Sequence, residues 1–315
     1  MSEEFFSIRR DHNGLRPVYN LGNELGDCPQ NCAFCGVGKS PQVTSEENID
    51  NFERIYADFR KIIQGPYHPV VYNQGNCTNP KEFSWKTLNH ILKRFHGDPN
   101  VVYLSINSRE SYATVTVLER LAVLRLSYPV HFVFGIESFS PRTYELLGKN
   151  TVAEMERFNA KLRSVNSRYA SAQPLRGYTF GLDVNLVFLP ELYLKPGESK
   201  TGNEATIQSS WVGEFRCLLA TIDPIVPTEI NLHPYYSVAA IPYEDADLSL
   251  FMQTLPELQR VLEVQVSNSC ARPPHIFVGV EGTGYESSNY RRMLGRWGPT
   301  ITEFNHTGKI TWMEP

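Results

Sequence analysis

RPVYNLGNELGDCPQNCAFCG, residues 16–36, is a strand-length run that empties into a loop with three cysteines inside eight positions. Gly, Asn, Asp and Pro crowd the loop and end the strand. From there the chain alternates. HPVVYNQG (68–75) precedes a helical stretch over about 83–96, and VVYLSIN (101–107) one over about 115–126. VHFVFGIES (130–138) precedes helical segments reaching about 167, and FGLDVNLVFL (180–189) a helix over about 208–221. TEINLHPYY (228–236) precedes a helix over about 247–263, and the cysteine loop itself precedes one over about 45–63. Val115, Leu118, Leu121, Leu124 and Leu126 recur near the 3.6-residue helical period.

Six strand-then-helix units in series predict parallel strands with helical crossovers. Continuous apolar runs are what strands buried on both faces require. A full eight-unit barrel takes about 250 residues, so six units with long loops predict an α/β fold of the partial (β/α)6, TIM-like kind. A doubly wound sheet is the alternative. Residues 1–245 form the expected barrel with its lead-in. Residues 246–315 form an expected C-terminal extension capping its mouth. Within that extension HIFVGV (275–280) reads as a short strand, SNYRRMLGRW (288–297) as a basic helix, and HTGKITWM (306–313) as a closing strand. Residues 190–207 are a candidate lid.

The chain of 315 residues is 41% hydrophobic and 20% charged, an ordinary globular balance. Its net charge of −4 supplies no basic surplus for a phosphate backbone, which disfavours a nucleic-acid partner without excluding one. MSEEFFSIRRDHNG lacks the apolar core of a signal peptide, and no apolar run approaches the roughly 20 residues that cross a bilayer. A cytoplasmic protein away from membranes is therefore expected. Thiols stay reduced there, so clustered cysteines point to metal or catalysis.

The spacing is Cys-x3-Cys-x2-Cys, at Cys28, Cys32 and Cys35; Cys77, Cys217 and Cys270 stand apart. A closed zinc or iron–sulfur site takes four protein ligands. Three thiolates on a cubane leave one iron open, and an open metal position can bind a substrate. The loop also follows a strand, at the end where barrel sites gather.

CPQNCAFC resembles the signature of the radical S-adenosylmethionine (radical SAM) enzymes, with Phe34 at its aromatic position. The resemblance extends over about residues 14–240. It implies a partial (β/α)6 barrel, a [4Fe–4S] cluster on Cys28, Cys32 and Cys35, and S-adenosyl-L-methionine chelating the fourth iron. Reductive cleavage then gives methionine and a 5′-deoxyadenosyl radical that takes hydrogen from an unactivated carbon. A flavodoxin or ferredoxin is the implied reductant.

Other contacts follow from the same resemblance. Where the family often carries Gly-Gly-Glu after the second strand, this chain has Asn73-Gln74-Gly75-Asn76. Gly75 then permits close approach, and Asn76 or backbone carbonyls take the ammonium. INSRES (106–111) resembles the Glu-x-Arg segment of the Elongator-type subgroup, with Asn107 in place of the acid and Arg109 facing the SAM carboxylate. GIES (135–138) resembles the same subgroup, giving Glu137 and Ser138 contacts to ribose or the amino group. Asn185 and His233 interrupt apolar strands and are further candidates, or satisfied core groups.

Cys270, in VSNSCARPP, and Cys77, just after Gly75, are candidate hydrogen donors of the kind a radical epimerase uses; Cys217 reads as core. Tyr235, Tyr236, Tyr285, Tyr290, Arg291, Arg292 and Trp297 suit a sugar, nucleoside or phosphorylated ligand, or ordinary packing. Three functions stand. One is a single-cluster radical SAM enzyme acting on a small molecule by epimerisation, dehydrogenation or addition. Another modifies RNA or a peptide. The last is a non-catalytic iron–sulfur or zinc module.

Overall fold

The structure is a computed structural model, and it describes residues 6–11, 14–26, 28, 42–140, 142, 152–169, 178–234, 248–267, 274–278 and 288–307. One sheet takes its strands in chain order: β1 (Phe6–Asp11), β2 (Gly14–Leu21), β3 (Val70–Asn73), β4 (Leu104–Asn107), β5 (Val130–Glu137), β6 (Phe180–Phe188), β7 (Thr228–Pro234) and β8 (His275–Val278). The α-helices among the described residues are α1 (Ser45–Arg60), α2 (Trp85–His96), α3 (Val115–Ala122), α4 (Val152–Tyr169), α5 (Glu204–Thr221), α6 (Leu248–Ser267) and α7 (Ser288–Thr307).

β1 pairs antiparallel to β2, and the seven strands from β2 onward are parallel. A doubly wound sheet reverses its strand order at a switch point. This sheet never reverses, so the fold is an α/β partial barrel of the TIM-like kind.

All six expected strand–helix units are present. β8 and α7 add a seventh, with β8 joining the sheet beside β7. β1 was not expected, because FSIRRD mixes charges into its pattern and offers no apolar run. Of the closing strand expected over 306–313, His306 and Thr307 are instead the last residues of α7; 308–313 lie outside the described residues. Cys217 is also corrected. It is exposed, because the buried stripe of α5 runs through Ile207, Trp211, Phe215 and Leu218 and Cys217 falls off it. Among the described residues no helix is long and apolar enough to cross a membrane.

The chain divides into two compact units. The first comprises Met1–Asn31, Gly36–Phe134 and Arg157–Asp183. Its helices start on side-chain caps: Thr44 and Glu47 form a reciprocal capping box on α1, Ser84 caps α2 and Thr114 caps α3. Tyr19 of β2 meets Phe52 and Phe59 of α1 and Phe95 of α2 at 5.3, 6.3 and 5.9 Å between ring centroids. These edge-on and tilted pairs are the geometry that ring quadrupoles favour.

The same unit buries a polar layer on the N-terminal halves of its strands. His131 Nδ1 meets Asp183 Oδ1 at 2.8 Å, Ser105 Oγ donates to Asp183 Oδ2 at 2.5 Å, and Arg16 Nη2 lies 4.0 Å from the same oxygen. His68, Tyr103 and His131 stack in sequence at 4.6 and 4.1 Å. Burial alone would raise the Asp183 pKa; the bond and charge of His131, the charge of Arg16 and the Ser105 bond bring it below the ordinary aspartate value. Gly181 makes room for the ring, since a Cβ there would stand 2.5 Å from His131 Nε2. Barrel sites lie at the opposite, C-terminal strand ends, so this layer reads as stability.

The second unit comprises Cys32–Cys35, Gly135–Glu156 and Val184–Pro315. Trp211 of α5 and Phe251 of α6 pack on Phe188 at 5.3 and 5.5 Å. Asn305 of α7 holds the end of β8, accepting from Val278 N–H at 2.7 Å and donating to its carbonyl at 3.1 Å. In the candidate lid, Pro190–Leu192 form a 3-10 turn, Arg142 donates to the Glu191 carbonyl at 2.8 Å, and Lys200 pairs with Glu191 at 2.7 Å.

Candidate active site

The chain leaves β2 through Gly22-Asn23-Glu24, and that exit is braced. Gly22 N–H donates to Asn48 Oδ1 at 3.0 Å, and Asn48 Nδ2 donates to the Gly22 carbonyl and to Glu24 Oε1, both at 2.9 Å. Glu24 Oε2 accepts from Ser45 Oγ at 2.6 Å and from Ser84 N–H at 3.1 Å. One carboxylate thereby serves the N-termini of α1 and α2, where helix dipoles favour negative charge. Burial alone would raise its pKa; bonds from Ser45, Ser84, Thr87 and Asn48 bring it below the ordinary glutamate value. Cys28 follows four residues later and is half-buried.

The end of β3 turns sharply around Gly75. Its φ is not positive, so glycine is needed here for space. A Cβ would lie 1.7 Å from Glu82 Oε2 and 2.8 Å from Glu82 Cδ. Glu82 is fully buried. Its carboxylate accepts from Asn76 N–H at 2.7 Å, from Asn76 Nδ2 at 3.1 and 3.2 Å, and from Asn79 Nδ2. Burial raises its pKa above the ordinary value, against the bonds from Asn79 and Asn76 and the charge of Arg109. Gly75→Ala is expected to destabilise the fold by about 1–3 kcal/mol, the usual cost of overpacking. Urea unfolding measures it, and a variant as stable as the parent would mean that the carboxylate does not fill this space.

Asn76 reaches in two further directions. Its Nδ2 lies 3.9 Å from Cys28 Sγ, and its Oδ1 accepts from Arg109 N–H at 3.0 Å. Asn107, at the end of β4, is committed at both ends of its amide. Nδ2 donates to the Gly75 and Asn73 carbonyls at 2.5 and 3.2 Å, and Oδ1 accepts from Asn73 N–H at 3.1 Å and from the Cys77 thiol at 2.9 Å. Cys77 is buried, and burial pushes its thiol up to about 12. Arg109 is half-buried on the same turn, beside Glu110, which pairs with Arg157 at 3.2 Å and with Lys161 of α4. Among the described residues, Asn73 Oδ1 and Gln74 Oε1 are buried acceptors without a donor.

In the second unit, Glu137 ends β5 at a φ of 64°. Ser138 N–H donates back to the Ile136 carbonyl at 2.8 Å, closing a three-residue turn with positive φ at its centre. That turn is rare and strained for a residue with a Cβ, and such strain concentrates at functional sites. Glu214 of α5 fastens the turn, accepting from Ser138 Oγ at 2.6 Å and Phe139 N–H at 3.1 Å. Burial raises the Glu214 pKa against those bonds. Asn185 and His233 are half-buried, and Asn185 Oδ1 accepts from Asn231 Nδ2 at 2.9 Å.

Cys32, Phe34, Cys35 and Cys270 lie outside the described residues, as do Tyr235, Tyr236 and Tyr285. Among the described residues no three His, Cys, Asp or Glu side chains converge as a metal site. The donor chemistry at Cys28 nevertheless suits an iron–sulfur cluster: a cysteine sulfur beside the Asn76 amide N–H matches a thiolate that accepts a hydrogen bond. Buried acceptors on the same strand end suit the ammonium of SAM.

One similar solved structure is a radical SAM methyltransferase from Sphaerobacter thermophilus. It shares 13% identity over 86% of this chain and 69% of that one, with a TM-score of 0.49. A second, AsfvAP:AG, shares 9% identity over 85% of this chain and 83% of that one, with a TM-score of 0.37. No family model and no curated protein matches the chain. Likeness at this level carries neither fold nor activity across, and the fold rests on its own strand order.

Glu82, Glu24, Asn48 and Glu214 escaped the sequence reading. Glu82 lies in TNPKEF, a turn whose lone acid looks like any solvated loop charge. Only the fold shows it beneath Gly75.

Proposed function

We propose that this chain is a radical SAM enzyme with one [4Fe–4S] cluster, acting on a small molecule such as a sugar, nucleoside or natural-product intermediate. The observation that supports it most is the end of β3, where Asn76 meets the Cys28 thiol and the preceding Asn73 and Gln74 present buried acceptors that lack donors. An ammonium brings three N–H donors and no acceptor, the complement of such a surface.

In this reading Cys28, Cys32 and Cys35 hold the cluster, which supplies the electron that cleaves SAM when a flavodoxin or ferredoxin reduces it. Asn73 and Gln74 orient the methionyl ammonium. Arg109 suits the carboxylate, as a guanidinium matches its planar fork. Glu137, held off the ordinary backbone by its turn, takes a ribose hydroxyl or the amino group. Asn107 keeps the ends of β3 and β4 together so that these groups stay in place. The Elongator-type likeness of INSRES and GIES belongs to the same proposal.

The test is anaerobic reconstitution with iron and sulfide, reduction, addition of SAM, and quantification of 5′-deoxyadenosine and methionine, with Cys32→Ala alongside. Wild type is expected to release both products, and Cys32→Ala to fall to the protein-free background. Intact SAM, together with a cluster EPR signal unchanged by SAM, sinks the proposal in favour of a non-catalytic metal module. Copurifying transfer RNA would move the substrate from small molecules to RNA.

A further inference from the structure

The Asn76 amide has one orientation that satisfies its neighbours. Arg109 N–H, a donor, faces Oδ1 at 3.0 Å, and the Glu82 carboxylate, an acceptor, faces Nδ2 at 3.1 and 3.2 Å. Turning the amide over would set donor on donor and acceptor on acceptor. Nδ2 carries two hydrogens. One is shared between the Glu82 oxygens, and the second is left for Cys28 Sγ at 3.9 Å. Glu82 is itself immobilised: it is fully buried, bonded by Asn79, and pressed against the missing side chain of Gly75.

We infer that Glu82 and Asn76 form a relay that sets the reduction potential of the cluster through Cys28. Asn76 donates the N–H···S bond, and Glu82 is the positioning residue that aims it. This rests on the reading of Cys28 as a cluster ligand. A hydrogen bond to a ligating sulfur stabilises the electron-rich reduced cluster more than the oxidised one, and so eases the one-electron reduction. Without the bond, the ratio of reduced to oxidised cluster at a fixed applied potential falls about tenfold, equivalent to about 59 mV for one electron.

The experiment compares reconstituted wild type, Asn76→Ala, Glu82→Gln and the double variant by iron content, thermal melting and EPR-monitored titration with dithionite. All four are expected to load equal iron. The two single variants titrate at lower potential than wild type. The double variant titrates no lower than Asn76→Ala, because Glu82 acts only through Asn76. Loaded variants that titrate with wild type overturn the relay alone, as do shifts that add in full. Should Glu82→Gln fail to fold, an Asn76→Ala protein at the wild-type potential is sufficient to overturn it. A wild type that takes up no iron overturns both the relay and the reading beneath it.

Discussion

Asp183→Asn is expected to lose about 3–5 kcal/mol of stability at pH 7, the usual cost of removing one partner from a buried charge network. Asp183 is 1% exposed and collects His131, Ser105 and Arg16, the last only 2% exposed. Its replacement removes the carboxylate charge 4.0 Å from the buried Arg16 guanidinium. The loss is pH-dependent. A carboxyl whose folded pKa is depressed stabilises the fold above its unfolded value, about 3.9, and loses that contribution as pH falls through the folded value. The gap between wild type and variant should therefore be full at pH 7, narrow below about pH 4 and close under stronger acid. Urea titrations at pH 7, 4 and 3 measure it. A gap that widens on acidification would mean that Asp183 is not held as the anion.

Glu137→Gly is expected to gain stability and lose activity together. Relief of the left-handed backbone returns about 1–3 kcal/mol, and the added freedom of glycine in the unfolded chain takes back about 0.4–1. The net gain is about 1 kcal/mol, visible as a higher melting temperature. On the proposed function, loss of a charge-assisted hydrogen bond worth about 1.5–3 kcal/mol would slow SAM cleavage by roughly 10–100-fold. Glu137→Gln separates the two effects, since it keeps the strain and removes only the charge. It should melt below Glu137→Gly and still cleave slowly. A Glu137→Gly protein less stable than wild type would show that its side chain, and not the site, demands the turn.

How much of this was legible depended on whether the signal was local. VHFVFGIE announces a strand buried on both faces, and β5 lies where its apolar run stands. The strand-to-loop switch ahead of Cys28 was legible for the same reason. Arg16, Ser105, His131 and Asp183 belong to four strands, each a polar residue in a largely apolar run, and only pairing brings them together. Asn107 illustrates a subtler limit. Its position at a strand end was readable, yet its amide is spent on the backbone of β3 and on Cys77. Glu137 was readable as a polar strand end, whereas its backbone strain depends on the grip of Glu214 from a helix far along the chain.

β1 has a consequence for the protein in company. The first parallel strand of an open sheet would present a row of unsatisfied N–H and C=O groups, an invitation for another polypeptide to add itself. β1 occupies that row along β2, pairing from Phe6 opposite Tyr19 to Asp11 opposite Gly14. The new border is written in FSIRRD, two arginines and an aspartate in six residues, a composition that discourages further strand addition. The short lead-in thus acts as a selvage, keeping the sheet from knitting itself to its neighbours at high concentration.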